Sequence, residues 1–276
     1  MSNADPIVAA VQMTTGPEVA ANLRQAERLI RGATDAGATL MVLPENFAFM
    51  GKQVQDILPL GERDGDRRLQ SFLSRVTARY GVWVVGGTIP LVADAPGRVR
   101  AACLVFDERG ARVARYDKIH LFDVEIPGTK ERYTESSTIE SGEDILVLDS
   151  PCGRLGIAIC YDLRFPELFR PMLDAGAEVL AIPAAFSAVT GQAHWETLIR
   201  ARAIENLVYV VAAAQGGRHP DGRKTHGHSM IVDPWGAVLA CVPQGSSSIH
   251  CPLDRDFQTS VRRNFPALEH RRLKGR

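Results

Sequence analysis

The feature that most constrains this chain is an echo between its two halves. Leu40-Met41-Val42-Leu43-Pro44 resembles Val179-Leu180-Ala181-Ile182-Pro183, and Val82-Trp83-Val84-Val85-Gly86 resembles Val208-Tyr209-Val210-Val211-Ala212. Val105-Phe106-Asp107-x-x-Gly110 likewise resembles Ile231-Val232-Asp233-x-x-Gly236. The surrounding periodicity predicts the same order of elements twice. In the first half strands fall at Ile7–Met13, Thr39–Leu43 and Val82–Thr88, with helices over Glu18–Ala36 and Asp66–Tyr80 between them. A pair, Ala101–Phe106 and Arg112–Tyr116, follows around a turn rich in Asp and Gly. The second half offers Ile145–Asp149, Leu155–Cys160, a helix from Pro166, Glu178–Ile182, a helix near Ala193–Glu205, Val208–Ala214, the pair His228–Val232 and Ala237–Val242, and a last strand near Ser247–Pro252. The strands are almost continuously apolar, which suits sheets buried on both faces, and the helices are amphipathic. Two βαβαββ-like halves meeting sheet to sheet give an α/β fold of four layers, an α-β-β-α sandwich. A doubly wound single sheet fits less well, because both halves end in antiparallel-looking pairs. No low-complexity linker divides the halves, so residues 1–276 are expected to form one domain. The basic, proline-interrupted stretch 257–276 is expected as an extended arm over the surface or onto a partner.

Composition narrows the function classes. Lys+Arg and Asp+Glu each number 32, and the formal charge is zero, with no basic run to meet a nucleic acid. No apolar run approaches the roughly 20 residues that cross a bilayer, and Met1-Ser2-Asn3-Ala4-Asp5 lacks the basic start of an export signal, so the expectation is a cytoplasmic protein. The five cysteines, Cys103, Cys152, Cys160, Cys241 and Cys251, include no Cys-x-x-Cys pair. That pattern argues against a disulfide framework or a zinc knuckle, and four of the five read as packing residues.

Cys160 is the exception. It ends the apolar run Leu155-Gly156-Ile157-Ala158-Ile159 and precedes Tyr161-Asp162-Leu163-Arg164-Phe165-Pro166-Glu167, a sharp passage from strand to helix. A thiol there is expected to feel the positive end of a helix dipole, which favours the nucleophilic thiolate. Glu45, after Val42-Leu43-Pro44, places a carboxylate at the C-terminal end of a buried strand, where α/β sheets build their sites. Lys118 stands in the apolar setting Tyr116-Asp117-Lys118-Ile119-His120-Leu121-Phe122 and is one of 5 lysines beside 27 arginines. Where arginine fills most cationic roles, such a lysine suits point-charge chemistry. Singly, each has a blander reading as a packed thiol, a loop carboxylate or a surface amine.

Together these three blocks resemble the signatures of the carbon–nitrogen hydrolase (nitrilase) superfamily, in the same order and over essentially the whole chain. The resemblance implies the α-β-β-α sandwich reached above from periodicity, and a cofactor-independent cysteine amidase that needs no metal. It implies that Cys160 attacks the amide carbonyl, that Glu45 moves the proton, and that Lys118, with a backbone N–H near Tyr161, stabilises the oxyanion. Glu135, in Tyr133-Thr134-Glu135-Ser136, matches the family's second glutamate and would orient Lys118 and the substrate. Tyr161-Asp162 after the cysteine, in place of Trp-Glu, points to the Nit amidase branch and away from nitriles. Within that branch Ala185-Phe186-x-x-Val189-Thr190-Gly191, Arg200-Ala201-Arg202-Ala203-Ile204-Glu205 and Val210–His219 are most similar to amidases that act on deaminated glutathione, releasing α-ketoglutarate and cysteinylglycine. The ω-amidases, which release ammonia from α-ketoglutaramate, share the first three blocks and are the alternative. Either substrate carries a carboxylate, for which Arg164 is the candidate fork, with an internal ion pair as its other reading. Phe186 and Thr190 fall where related enzymes line the acyl pocket, and the family's habit of assembling through helical faces implies a homodimer or larger homo-oligomer. His226-Gly227-His228 has no neighbouring ligands in sequence and reads as structural. Gly86-Gly87 and Gly216-Gly217 are followed by no phosphate-loop lysine, and no Gly-x-Ser-x-Gly elbow is present.

Overall fold

A computed structural model describes residues 5–65, 68–128, 131–220 and 222–273. The first half runs β1 (Ile7–Gln12), α1 (Val19–Asp35), β2 (Leu40–Val42), α2 (Arg68–Tyr80), β3 (Trp83–Val85), β4 (Ile89–Val92), β5 (Val99–Phe106) and β6 (Arg112–Asp117). A small hairpin, β7 (Asp123–Glu125) and β8 (Arg132–Thr134), precedes the second half. That half runs β9 (Val147–Ser150), β10 (Gly153–Ile157), α3 (Pro166–Asp174), β11 (Val179–Ala184), α4 (Ala188–Asn206), β12 (Tyr209–Ala214), β13 (Gly216–Arg218), β14 (Lys224–His226), β15 (Ser229–Val232) and β16 (Val238–Val242). The chain then closes with β17 (Ser247–Pro252) and α5 (Arg255–Asn264). The first two residues of the helix expected over Asp66–Tyr80 lie outside the described residues.

The internal echo is real topology. In one sheet β1, β2 and β3 are parallel and are followed by antiparallel β5 and β6; in the other, β10, β11 and β12 are parallel and are followed by antiparallel β15 and β16. The halves are not self-contained, however. Strand β17 leaves the second half and pairs with β1, from Ile7 opposite Pro252 to Gln12 opposite Ser247. The first sheet therefore has seven strands and the second six.

Strand alternation builds the layers. In β1 and β2, Val8, Ala10, Leu40 and Val42 face the other sheet, in one buried cluster with Ile157, Ala181 and Val211. Their neighbours Ala9, Val11, Met41 and Leu43 face outward onto Leu23, Ala26 and Ile30 of α1 and Phe72, Leu73 and Val76 of α2. On the far side, Trp195, Ile199 and Ala203 of α4 and Phe169 and Met172 of α3 cover the second sheet. The result is the α-β-β-α sandwich.

The C-terminal segment departs from expectation. It opens with a docked helix rather than an extended arm: the Asp254 carboxylate caps α5 by accepting from the Phe257 N–H at 2.7 Å, and Gln258 and Val261 are buried. The helix docks onto carbonyls at the end of helix α4 and in the loop before β11. Gln258 donates to the Glu178 and Leu207 carbonyls, and Arg262 to those of Leu207 and Ala177. Residues 274–276 of the expected arm lie outside the described residues. No helix among the described residues is long and apolar enough to cross a membrane.

Candidate active site

The site forms at one end of the sandwich from the chain just beyond strand ends of both sheets and of the β7–β8 hairpin. Glu45 follows β2, Lys118 follows β6 directly, Cys160 follows β10, and Glu135 follows β8. All four expected catalytic side chains converge. The Lys118 Nζ donates to Glu45 Oε1 at 2.8 Å and to both carboxylate oxygens of Glu135 at 2.9 and 2.8 Å, which uses its three N–H groups. Glu135 is fixed in turn by the Phe122 N–H at 2.7 Å. The Ala185 N–H points at the Cys160 sulfur, 3.5 Å away.

Burial sets the electrostatics. Lys118 is 2% exposed, Glu45 4% and Cys160 8%. Burial alone would discharge Lys118, but the carboxylates of Glu135 and Glu45 outweigh it and hold the ammonium well above its ordinary value. For Cys160 the balance runs the other way. Burial, then the Glu45 charge, push the thiol well above 9.0, against the opposing pull of Lys118 and the Ala185 N–H. The thiolate expected from a helix dipole is thus not the resting form. Helix α3 begins only at Pro166, a separate turn over Cys160–Arg164 intervenes, and desolvation dominates.

The backbone shows how the thiol is presented. Cys160 has φ +50°, a left-handed conformation costly for a side chain with a Cβ and common at functional turns. Asp162, fully buried, holds this bend. Its carboxylate accepts from the Ile159 N–H at 2.8 Å, the Tyr116 hydroxyl at 2.7 Å and the His120 N–H at 2.9 Å, and meets the His120 ring nitrogen Nδ1 at 2.7 Å. Because Tyr116 and His120 flank Lys118, one carboxylate ties the cysteine bend to the lysine strand. Glu45 is positioned from the other side, where Gln215 donates to its carbonyl at 2.9 Å and to the Thr15 hydroxyl at 2.7 Å. Gly87, with φ +55°, lies so close that a Cβ there would stand 2.1 Å from the Pro44 carbonyl oxygen. Gly87 thus serves backbone approach beneath the Glu45 loop, whereas its neighbour Gly86 makes room for Leu73 and the Leu104 carbonyl.

These groups open onto a cavity of about 140 Å³. Tyr161, Arg164, Phe186 and Thr190 all line it, as the sequence suggested. Among the described residues Arg164 makes no ion pair. Its guanidinium sits 5.3 Å from the Phe186 ring centre and 5.9 Å from that of Tyr161, and its Nη1 is 3.2 Å from Nδ1 of His194. The reading of Arg164 as half of an internal ion pair is therefore set aside. Sequence reasoning missed Asp162 and Gln215 as supports and Phe122, Tyr133, Arg223 and Lys224 as lining. Only Asp162 carried a signal, as the one acid in the bend Cys160–Arg164. The His226 and His228 rings stack 4.2 Å apart, and burial with the neighbouring imidazole lowers His226 to about 4. Among the described residues no group of three His, Cys, Asp or Glu is placed to hold a metal.

A buried thiol, a carboxylate and a lysine together at the end of a layered α/β sandwich are the arrangement found, and residues 7–262 match the carbon-nitrogen hydrolase family. The chain belongs to that family and is a hydrolase acting on carbon–nitrogen bonds. More particularly, it is 41% identical over 274 residues to the deaminated glutathione amidase of Yersinia enterocolitica, covering 99% of this chain and 94% of that protein. It is 40% identical to the human deaminated glutathione amidase over 97% of this chain and 82% of the relative. Among solved structures, Saccharomyces cerevisiae Nit3, a member of branch 10 of the nitrilase superfamily, superposes with a TM-score of 0.87 at 32% identity, covering 98% of this chain and 97% of that one. The C. elegans NitFhit protein gives the same score at 36% identity; this chain covers 66% of its length and 99% of its own.

Proposed function

We propose that the chain is a cysteine-nucleophile amidase that hydrolyses the amide of deaminated glutathione to α-ketoglutarate and cysteinylglycine. The observation that carries the chemistry is the placement of Cys160 beside a Lys118 held by two carboxylates, at the floor of a cavity. Glu45 takes the thiol proton as sulfur attacks the amide carbon, so the thiolate never has to persist at its unfavourable resting pKa. That transfer also frees a lysine N–H. Once Glu45 is neutral, the Lys118 bond to its oxygen weakens and that N–H can turn to the oxyanion, while Glu135 keeps the other two. Negative charge leaves Glu45 and appears on the substrate oxygen, and the net charge of the buried cluster is conserved. The amide nitrogen leaves with the proton from Glu45, giving a thioester and free cysteinylglycine. Glu45 then deprotonates a water that attacks the thioester, and the proton returns to the Cys160 sulfur.

The relatives named as deaminated glutathione amidases support this acyl group, and Arg164 above the Phe186 ring is the partner for its carboxylate. The same chemistry on α-ketoglutaramate would release ammonia. A side-by-side assay of cysteinylglycine and ammonia release decides between them, and preference for ammonia release would move the chain to the ω-amidases. We further propose a cytoplasmic homo-oligomer. The exposed Trp235 and Phe265, edge to face at 5.5 Å, support an assembly surface, and sedimentation as a monomer across micromolar concentrations would exclude it.

A further inference from the structure

The cavity carries more positive charge than the reaction centre uses. Its lining holds four cations, Lys118, Arg164, Arg223 and Lys224, against two acids, Glu45 and Glu135. Both acids are committed to Lys118. Arg223 donates to the Gly51 carbonyl, which ties strand β14 to the loop beyond Glu45. Arg164 and Lys224 remain, and among the described residues neither is paired with a carboxylate.

Strand β14 is held firmly at this wall. Thr225 is buried, its hydroxyl meets Nε2 of His219 at 2.7 Å, and Nδ1 of His219 meets the Thr15 carbonyl at 2.8 Å. The His226 N–H donates to the Phe186 carbonyl at 3.0 Å, so β14 runs beside the segment that carries Phe186. Lys224 is thereby presented, solvent-exposed, at the cavity wall on a fixed backbone. A lysine here also stands out in a chain with only 5 of them.

We propose that Lys224 is a specificity-determining residue that binds the terminal carboxylate of the leaving dipeptide. This inference rests on the deaminated glutathione reading and adds a subsite to it. Deaminated glutathione has two carboxylates, one on the keto-acid end and one on the glycine end, and the cavity has two cations without an acid. With Arg164 on the first, Lys224 is the match for the second. The second carboxylate lies two residues from the scissile carbon, about 7 Å in an extended chain, and so belongs at the mouth of the cavity and not at its floor. An exposed ammonium suits that place, since it attracts the anion yet lets the product leave. α-Ketoglutaramate has no such group and cannot use the subsite.

The test is a chemical double-mutant cycle on the intact enzyme, comparing deaminated glutathione with its C-terminal carboxamide on wild type, Lys224→Ala and Lys224→Arg. Wild type should prefer the free acid by about fivefold in kcat/KM, expressed in KM, with the preference weakening in high salt. Lys224→Ala should lose that preference, and Lys224→Arg should keep most of it. If wild type turns over both substrates but Lys224→Ala retains the preference, or slows both equally, the subsite is refuted while the proposed activity stands. If wild type turns over α-ketoglutaramate but not deaminated glutathione, the activity is refuted, and the subsite with it.

Discussion

Replacing Asp162 by Asn tests whether one buried carboxylate couples the Cys160 bend to the lysine strand. The change is nearly isosteric and removes none of the Glu45, Lys118, Glu135 and Cys160 side chains. It turns one acceptor oxygen into a donor, facing either the Ile159 N–H and the Tyr116 hydroxyl or the His120 pair. With the amide nitrogen toward Ile159, that N–H loses its acceptor, at a cost of about 1–3 kcal/mol. The bonds that survive go from charge-assisted to neutral, each losing about 1 kcal/mol net of desolvation. Because the contacts share one group they are not additive, and a total of about 3 kcal/mol is expected. For a chain of this size that lowers the melting temperature by roughly 6 to 12 °C. Activity should suffer more than stability suggests. The left-handed Cys160 is costly to hold and relaxes once its neighbour's N–H is released, and a displacement of about 1 Å at a reacting atom can cost about 100-fold in rate. Circular-dichroism melts at fixed protein concentration and single-turnover kinetics report the two effects. A variant with unchanged melting temperature and wild-type turnover would refute the coupling.

Lys118→Met leaves Glu45 and Glu135 facing each other without their cation; turnover should drop by at least about 100-fold, and stability at neutral pH by about 3–5 kcal/mol, measurable by assay and denaturant titration. Cys160→Ala should abolish turnover with little change in melting temperature, since only one small buried side chain is shortened. The raised Cys160 value predicts that alkylation of the free enzyme by iodoacetamide is slow at neutral pH and accelerates only as the pH rises beyond 9.0; rapid, pH-independent alkylation near pH 6 would contradict it. The sign for stability follows from the same shift. A thiol whose folded pKa is raised contributes fully below its unfolded value and loses that contribution as pH rises toward the folded one.

Much of the architecture is legible because the repeat is written in the strands. The apolar runs around Leu40–Val42 and Val179–Ala184 are buried on both faces, so their sequences have little freedom and show the echo directly. The short hairpins β7–β8 and β13–β14 are not legible, since three-residue strands in polar surroundings carry no period. The docked α5 escaped for another reason. Its attraction comes from the carbonyls of Ala177, Glu178 and Leu207, remote in sequence, and the helix buries only Gln258 and Val261. At the site, Glu45, Lys118 and Cys160 stand in recognisable blocks, whereas Arg223 and Lys224 reach the cavity through tertiary pairing alone. A local dipole argument cannot see the burial and the Glu45 charge that push the Cys160 thiol up.

Acylation of Cys160 is the step on which the proposed mechanism depends. Rapid mixing of enzyme with deaminated glutathione, acid quenching within a turnover, and intact and peptide mass spectrometry would test it most directly. An α-ketoglutaryl group in thioester linkage is expected on the peptide containing Cys160, absent from Cys160→Ala and discharged by water at the turnover rate. Turnover without any such adduct, or by the Cys160→Ala protein, would contradict it.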